Sequence, residues 1–298
     1  MTPITPRRSA LYMPGSNLRA LEKARGLPAD VVILDLEDAV APDAKAAARE
    51  QVCAAVRQGG YGAREVVIRI NALDTPWGQD DLAAAAEVAP DAILIPKVSS
   101  PEALVAVGTR LRRLRTPVRT RVWAMIETPL AILEINAIAG AAHDVDTRLS
   151  CFVMGTNDLA KETRSRVAPG RTAMLPWLMT ALAAARANGL DILDGVYNSL
   201  EGDAGFRAEC EQGRDCGFDG KTLIHPNQIA AANEIFAPSV GDVERARAIV
   251  AAFALPENAG RGAIAMEGRM VERLHAEMAK RVLDLAEAIR RRESDSQS

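Results

Sequence analysis

Short apolar runs recur along this chain and do not alternate with polar residues: VVILD, VVIR, AILIP, VWAMI, CFVM and TLI are apolar on consecutive positions. A strand covered on both faces reads this way, whereas a half-exposed strand alternates. Between the runs lie stretches rich in Ala, Leu, Lys, Arg and Glu, such as DAKAAAREQVCAAV, DDLAAAAEVA, SPEALVAVGTRLRRLR and LPWLMTALAAARANG. These residues favour helix, and Pro101 after Ser100 suits a first helical turn. Pro14-Gly15 closes a further run at 9–13. Strands are therefore expected at 9–13, 31–36, 65–70, 92–96, 121–126, 150–154, 190–196 and 220–224.

Seven of these runs end in polar side chains: Asp35, Glu37 and Asp38; Arg69 and Asn71; Lys97; Glu127; Asp158; Asp194 and Asn198; His225. From Asp35 the steps to Arg69, Lys97, Glu127, Asp158, Asp194 and His225 are 34, 28, 30, 31, 36 and 31 residues. That spacing is one strand, loop and helix per step, and eight such units predict a (β/α)8 TIM barrel over residues 1–236. Parallel strands bring their C-terminal ends to one rim, so these distant side chains are expected to share a mouth. PENAGRG separates two later helical patterns, which predicts a C-terminal helical extension over 237–298 whose last residues, RRRESDSQS, fray.

Composition narrows the class. Hydrophobic residues make up 48% and charged residues 25%, the balance of a globular chain. Thirty-six Lys and Arg against thirty-nine Asp and Glu give a net charge of −3, which offers no electrostatic footprint for nucleic acid. The four cysteines, Cys53, Cys151, Cys210 and Cys216, lack paired spacing for zinc or a disulfide framework. MTPITPRRSALYMPG has no apolar core of a signal peptide and no run spans a bilayer, so a cytoplasmic protein without membrane partners is expected.

Glu127 and Asp158 close neighbouring strands. Two such carboxylates can share one hard divalent cation, Mg2+ above all, with room for water and substrate; alternatively one caps a helix and the other meets a Lys or Arg. Arg69 can clamp a substrate carboxylate through two parallel hydrogen bonds or pair with Glu37 or Asp38. Lys97 is a Schiff-base nucleophile or a charge partner for a carboxylate, and the nearby acids favour the second. His225 is a scaffold residue or a substrate contact.

Taken together, RSALYMPG, VILDLEDAV, VIRIN, IPKV, IETP, GTNDL, DGVYN and KTLIHPNQI resemble the citrate lyase beta-subunit and malyl-CoA lyase family, within the wider group of HpcH/HpaI-type aldolases. The resemblance implies a (β/α)8 barrel with Mg2+ held by Glu127 and Asp158, and Arg69 on the carboxylate of the keto-acid portion. It implies that Glu37 and Asp38 hold metal-bound water, and that Arg8, Arg19 and Lys23 face the phosphates of coenzyme A. It further implies trimers or dimers of trimers, and an acid of the extension that moves a proton. In EGRMVERLH that acid is Glu272, where relatives carry Asp.

The expected activity is cleavage or formation of a β-hydroxyacyl-CoA such as malyl-, citramalyl- or citryl-CoA, giving an acyl-CoA and an α-keto acid. Three alternatives stay open: a Mg2+-dependent aldolase on free hydroxy-keto acids, a variant that adds thioester hydrolysis, and a non-catalytic acyl-CoA-binding subunit of a larger complex.

Overall fold

In the computed structural model, which describes residues 4–200, 203–266 and 268–295, eight parallel strands close into a barrel in chain order. They are β1 (Ser9–Pro14), β2 (Val31–Asp35), β3 (Glu65–Arg69), β4 (Ala92–Ile95), β5 (Arg121–Ile126), β6 (Leu149–Met154), β7 (Asp191–Asp194) and β8 (Gly220–Leu223). Closure comes from β1, which pairs with β2 and with β8. The (β/α)8 expectation is met, with strand ends within one residue of those read from the sequence except at the C-terminal end of β7. That strand stops at Asp194, before the Gly-Val step.

The covering helices are α1 (Leu18–Ala24), α2 (Lys45–Gln58), α3 (Gly78–Val88), α4 (Pro101–Arg113), α5 (Pro129–Leu133), α6 (Ile135–Gly140), α7 (Thr156–Thr163), α8 (Leu175–Ala187), α9 (Ala204–Cys216) and α10 (Ile229–Ile235). Helix α4 shows why they form and where they dock. Pro101 sits in its first turn, Arg110, Arg112 and Arg113 meet the negative end of its dipole, and Leu104, Val107 and Leu111 bury one stripe completely. Gly108 opens the same face: a Cβ there would fall 2.2 Å from the Asp146 carbonyl oxygen, so a side chain would push the helix off.

Along each strand alternate residues separate two layers. Val31, Ile33, Val67, Leu94, Trp123 and Met125 belong to an inner cluster that fills the barrel. Val32, Leu34, Ile68, Ile93, Ala124 and Phe152 pack with the helices in an outer one. Burial on both faces is the reason the runs do not alternate. At the N-terminal end Arg7 fills the barrel floor. It donates to Glu65 through Nε at 2.7 Å and Nη2 at 2.8 Å, pairs with Asp191, and lies 4.9 Å over the Trp123 ring.

By contact pattern the chain divides into Arg7–Phe236 and a second unit made of the described residues among 1–6 and 237–298. The second unit contains α11 (Val240–Ala254), the antiparallel hairpin β9 (Ala263–Met266) and β10 (Arg269–Glu272), and α12 (Arg273–Asp295). Ser239 begins α11 with a capping box, its Oγ accepting from the Asp242 backbone N–H at 3.1 Å while Asp242 accepts from the Ser239 N–H. Ala246, Ile249, Ile264, Val271 and Ala279 form the unit's own apolar core. Two helices were expected here, and the hairpin between them was not. Among the described residues no helix is long and apolar enough to cross a membrane.

Candidate active site

Register assembles the mouth. Pro14 of β1 pairs with Asp35, Asp35 with Arg69, and Arg69 with Leu94, so Asp35 and Arg69 stand side by side at one level. Both continue the inward parity of their strands. Arg69 donates to Asp35 through Nε at 2.6 Å and Nη2 at 2.5 Å, a two-bond fork with both partners buried. Its Nη1 donates to Asp38 at 3.2 Å and lies 2.8 Å from Glu37 Oε2, a charge contact without hydrogen-bond alignment. Asp35 also accepts from the backbone N–H groups of Glu37 and Ala39, folding the acid-rich loop back over the strand end.

The fork that a substrate carboxylate was expected to take is thus occupied by Asp35. Arg69 keeps one Nη2 N–H without a protein acceptor among the described residues. Burial pushes the Glu37 carboxyl up to about 8, against the pull of Arg69 and with help from Glu127, Asp38 and Asp35. Near neutral pH it is poised between acid and carboxylate.

The second half of the mouth lies between β5 and β6. Glu127 follows Ile126 and is fully buried, and its Oε1 accepts from the Lys97 backbone N–H at 2.7 Å. That N–H is turned inward because Lys97 holds a left-handed backbone, with φ of 54°. Oε2 of Glu127 is buried without a hydrogen-bond partner. Gly155 makes the room: a Cβ on it would stand 2.4 Å from Glu127 Cβ and 2.6 Å from Oε2. Burial raises the Glu127 carboxyl above its ordinary value against the opposing charge of Lys97. The Lys97 ammonium reaches Asp158 Oδ1 at 2.5 Å and stands 3.6 Å from Glu127 Oε1. It is a charge partner for both acids, and although burial works against its charge, its pKa is raised, chiefly through Asp158.

Between these halves opens a cavity of about 330 Å3 lined by Tyr12, Asp38, Arg69 and Asp158 on the polar side and by Met125, Met154, Val196 and Ile224 on the apolar side. Among the described residues no three His, Cys, Asp or Glu side chains gather into a metal site. Two carboxylates facing one positive centre, one of them with an unpartnered buried oxygen, nevertheless fit a hard divalent cation, which needs one or two carboxylates and completes its shell with water and ligand. Glu127 and Asp158 would hold it in the region the Lys97 ammonium now fills.

Other expected residues fall elsewhere. Arg8 lies at the opposite end of β1, is 5% exposed, and gives its backbone N–H, Nε and Nη2 to Asp30. It has no surface to offer a phosphate, which corrects its expected role. Arg19 and Lys23 are exposed on α1 and do not line the cavity. His225 caps the turn Pro226–Gln228, its Nδ1 accepting from the Asn227 N–H at 3.2 Å, and it too is absent from the lining.

Asp194 shares the strand-end position of the mouth acids but points outward into a buried cluster, accepting from Arg171 at 2.6 Å and Lys221 at 2.9 Å. These two cations hold its carboxyl below the ordinary range although burial alone would raise it. Glu272 belongs to β10 of the second unit, where its N–H donates to His275 Nδ1 at 2.9 Å.

Three contacts around the mouth were not assembled by sequence reasoning. Tyr12 stacks on Arg69, with the guanidinium carbon 4.8 Å from the ring centroid. Lys45, whose pKa burial lowers, donates its ammonium to the carbonyls of Leu36 and Glu37 at 2.8 and 2.7 Å, and so pins the loop that carries Glu37 and Asp38. Asn157 and Asn198 exchange amide hydrogen bonds across the rim between β6 and β7. The signals in the sequence were the KAAARE motif, which places a lysine at the start of a helix after the acid loop, and Asn198, named at the end of its run without its partner Asn157.

In sequence and fold the chain is similar to known proteins. Residues 8–226 match the family model described as HpcH/HpaI aldolase/citrate lyase. A (3S)-malyl-CoA thioesterase of Cereibacter sphaeroides is 51% identical over 284 residues, covering 95% of this chain and 96% of the relative. The citrate lyase subunit beta of Escherichia coli K12 is 34% identical over 286 residues, covering 94% and 93%. Among solved structures, the protein CitE of Mycobacterium tuberculosis, in complex with magnesium, acetoacetate and coenzyme A, superposes with a TM-score of 0.76 at 31% identity, over 95% of this chain and 98% of that one.

Proposed function

Because the chain belongs to the HpcH/HpaI aldolase/citrate lyase family, we propose that its barrel mouth binds the coenzyme A thioester of a small hydroxy acid together with Mg2+, and hydrolyses (3S)-malyl-CoA to malate and coenzyme A. The observation that carries the reading is the convergence of Asp158 and Arg69 on one cavity, with Glu127 held next to Asp158 through Lys97 and one buried Glu127 oxygen left unpartnered. The choice of hydrolysis follows the relatives that share half of all residues along nearly the whole chain.

Mg2+, held by Glu127 and Asp158, would supply positive charge beside the oxygens of the bound acid. The chain's own groups do the rest. Asp35 holds Arg69 rigid, so that its guanidinium meets the acid's carboxylate without a loss of orientational freedom at the moment of reaction. Lys45 fixes the backbone of the acid loop and keeps Glu37 and Asp38 at the mouth. Glu37 exchanges a proton with the attacking water, a task its raised pKa suits near neutrality. Met125, Met154 and Val196 exclude bulk water from one wall. Arg19 and Lys23 on α1 are the basic groups assigned to the coenzyme phosphates, and trimers or hexamers are the assembly assigned to the chain.

The second reading is carbon-carbon cleavage, favoured by the citrate lyase beta subunits among the relatives. There the same residues orient the acid while its hydroxyl gives up a proton to become the keto acid's carbonyl and the bond between that carbon and the thioester arm breaks, and Glu272 of a neighbouring subunit is the acid assigned to protonate that arm. One experiment separates the readings. Malyl-CoA is incubated with the protein with and without Mg2+ while free thiol and product masses are followed. Free coenzyme A with malate supports hydrolysis; acetyl-CoA with glyoxylate supports the lyase. Turnover of neither malyl-CoA nor citramalyl-CoA, with activity on free hydroxy-keto acids alone, would return the chain to the coenzyme-independent aldolases.

A further inference from the structure

Two donors at the mouth aim at one poor acceptor. The Tyr12 hydroxyl lies 4.0 Å and the Arg69 Nη1 3.8 Å from the same atom, Met125 Sδ. A thioether accepts hydrogen bonds weakly, and among the described residues the Tyr12 hydroxyl has no other partner. All three residues line the cavity. The arrangement is fixed by the barrel: Tyr12 pairs in register with Ile33, faces inward, and carries the Arg69 guanidinium over its ring.

Counting the donors of Arg69 shows what is missing from a carboxylate site. Nε and one N–H of Nη2 are bound to Asp35, and Nη1 is shared among Asp38, Glu37 and Met125. The guanidinium therefore lacks the open pair of parallel N–H bonds with which Arg usually grips a carboxylate. A second donor from another side chain completes the seat. Burial pushes the Tyr12 phenol well above its ordinary pKa, so it remains protonated and able to donate.

We propose that Tyr12 is a substrate-binding residue whose hydroxyl donates a hydrogen bond to a carboxylate oxygen of the bound hydroxy or keto acid, an oxygen that takes the place of Met125 Sδ as the acceptor shared with Arg69. The assignment rests on reading the mouth as an acid-binding site and names the group that sets its specificity for a carboxylate. Tyr12→Phe keeps the ring beneath Arg69 and removes one oxygen. Tyr12→Leu removes the ring as well.

Calorimetric titration of oxaloacetate into the full-length protein with Mg2+ present tests it. For Tyr12→Phe the dissociation constant rises about 10- to 100-fold, the loss expected for a hydrogen bond to a charged acceptor. The affinity for Mg2+ alone and the unfolding temperature stay at wild-type values. With malyl-CoA, KM rises more than kcat falls. Oxaloacetate binding by Tyr12→Phe within about twofold of wild type overturns the assignment, and a loss confined to Tyr12→Leu overturns it in favour of the ring alone. Should the wild type bind neither oxaloacetate nor pyruvate with Mg2+, the reading of the mouth falls and the role of Tyr12 with it.

Discussion

At the scale of single residues, the mouth shows how burial sets chemistry. Glu127 is costly where it stands: a carboxylate without solvent and with one oxygen unpartnered loses free energy relative to an amide of the same shape. Glu127→Gln should therefore unfold at the wild-type temperature or above it in chelator, while its affinity for Mg2+ falls beyond detection; thermal scans and metal titration check the two together. Glu37 yields a dependence on pH. Its carboxyl moves from an ordinary 4.5 to about 8 on folding, so the folded protein holds a proton the unfolded chain has released. The stability it contributes is full below about 4.5 and is lost as pH rises through about 8. In chelator, the unfolding temperature of wild type minus that of Glu37→Gln should decline across that window. A flat difference would mean that Glu37 is ionised throughout.

At the scale of elements, strand ends were legible and strand faces were not. Runs apolar on both sides marked the eight strands because the barrel covers them inside and out, and their ends gave Arg69, Lys97, Glu127 and Asp158 at one rim. The same uniformity hid parity. Asp194 ends its strand as Asp35 does, yet it is one position out of phase with inward Leu193 and turns to Arg171 and Lys221. Tyr12 was passed over for the same reason, since nothing in LYMP tells inner from outer. Arg8 failed on direction: it precedes β1 and so belongs to the floor. Close approach between strands gives the prediction at this scale. Gly155→Ala places a methyl group against Glu127 Cβ and Oε2, and neither β5 nor β6 can yield without breaking the bond from Gly155 N–H to the Ile126 carbonyl. The variant should lose Mg2+ affinity about as fully as Glu127→Gln, and should also unfold earlier, by roughly 1–3 kcal/mol of overpacking. Chemical denaturation beside metal titration distinguishes the two substitutions.

For the whole molecule, the barrel separates stability from chemistry along its axis. Arg7, Glu65, Asp191 and Trp123 lock the floor, and none of them lines the mouth. Arg7→Met leaves Glu65 with a poorly solvated, uncompensated charge, and should lower stability by about 3–5 kcal/mol while kcat on the proposed substrate stays near wild type at a temperature where the variant is folded. A parallel fall in kcat would show that the floor reaches the rim. The ammonium of Lys97, resting between two acids, has a consequence for how the protein comes into being. The chain brings its own counter-charge to Glu127 and Asp158, which offsets the repulsion between two acids gathered at one rim as the barrel closes.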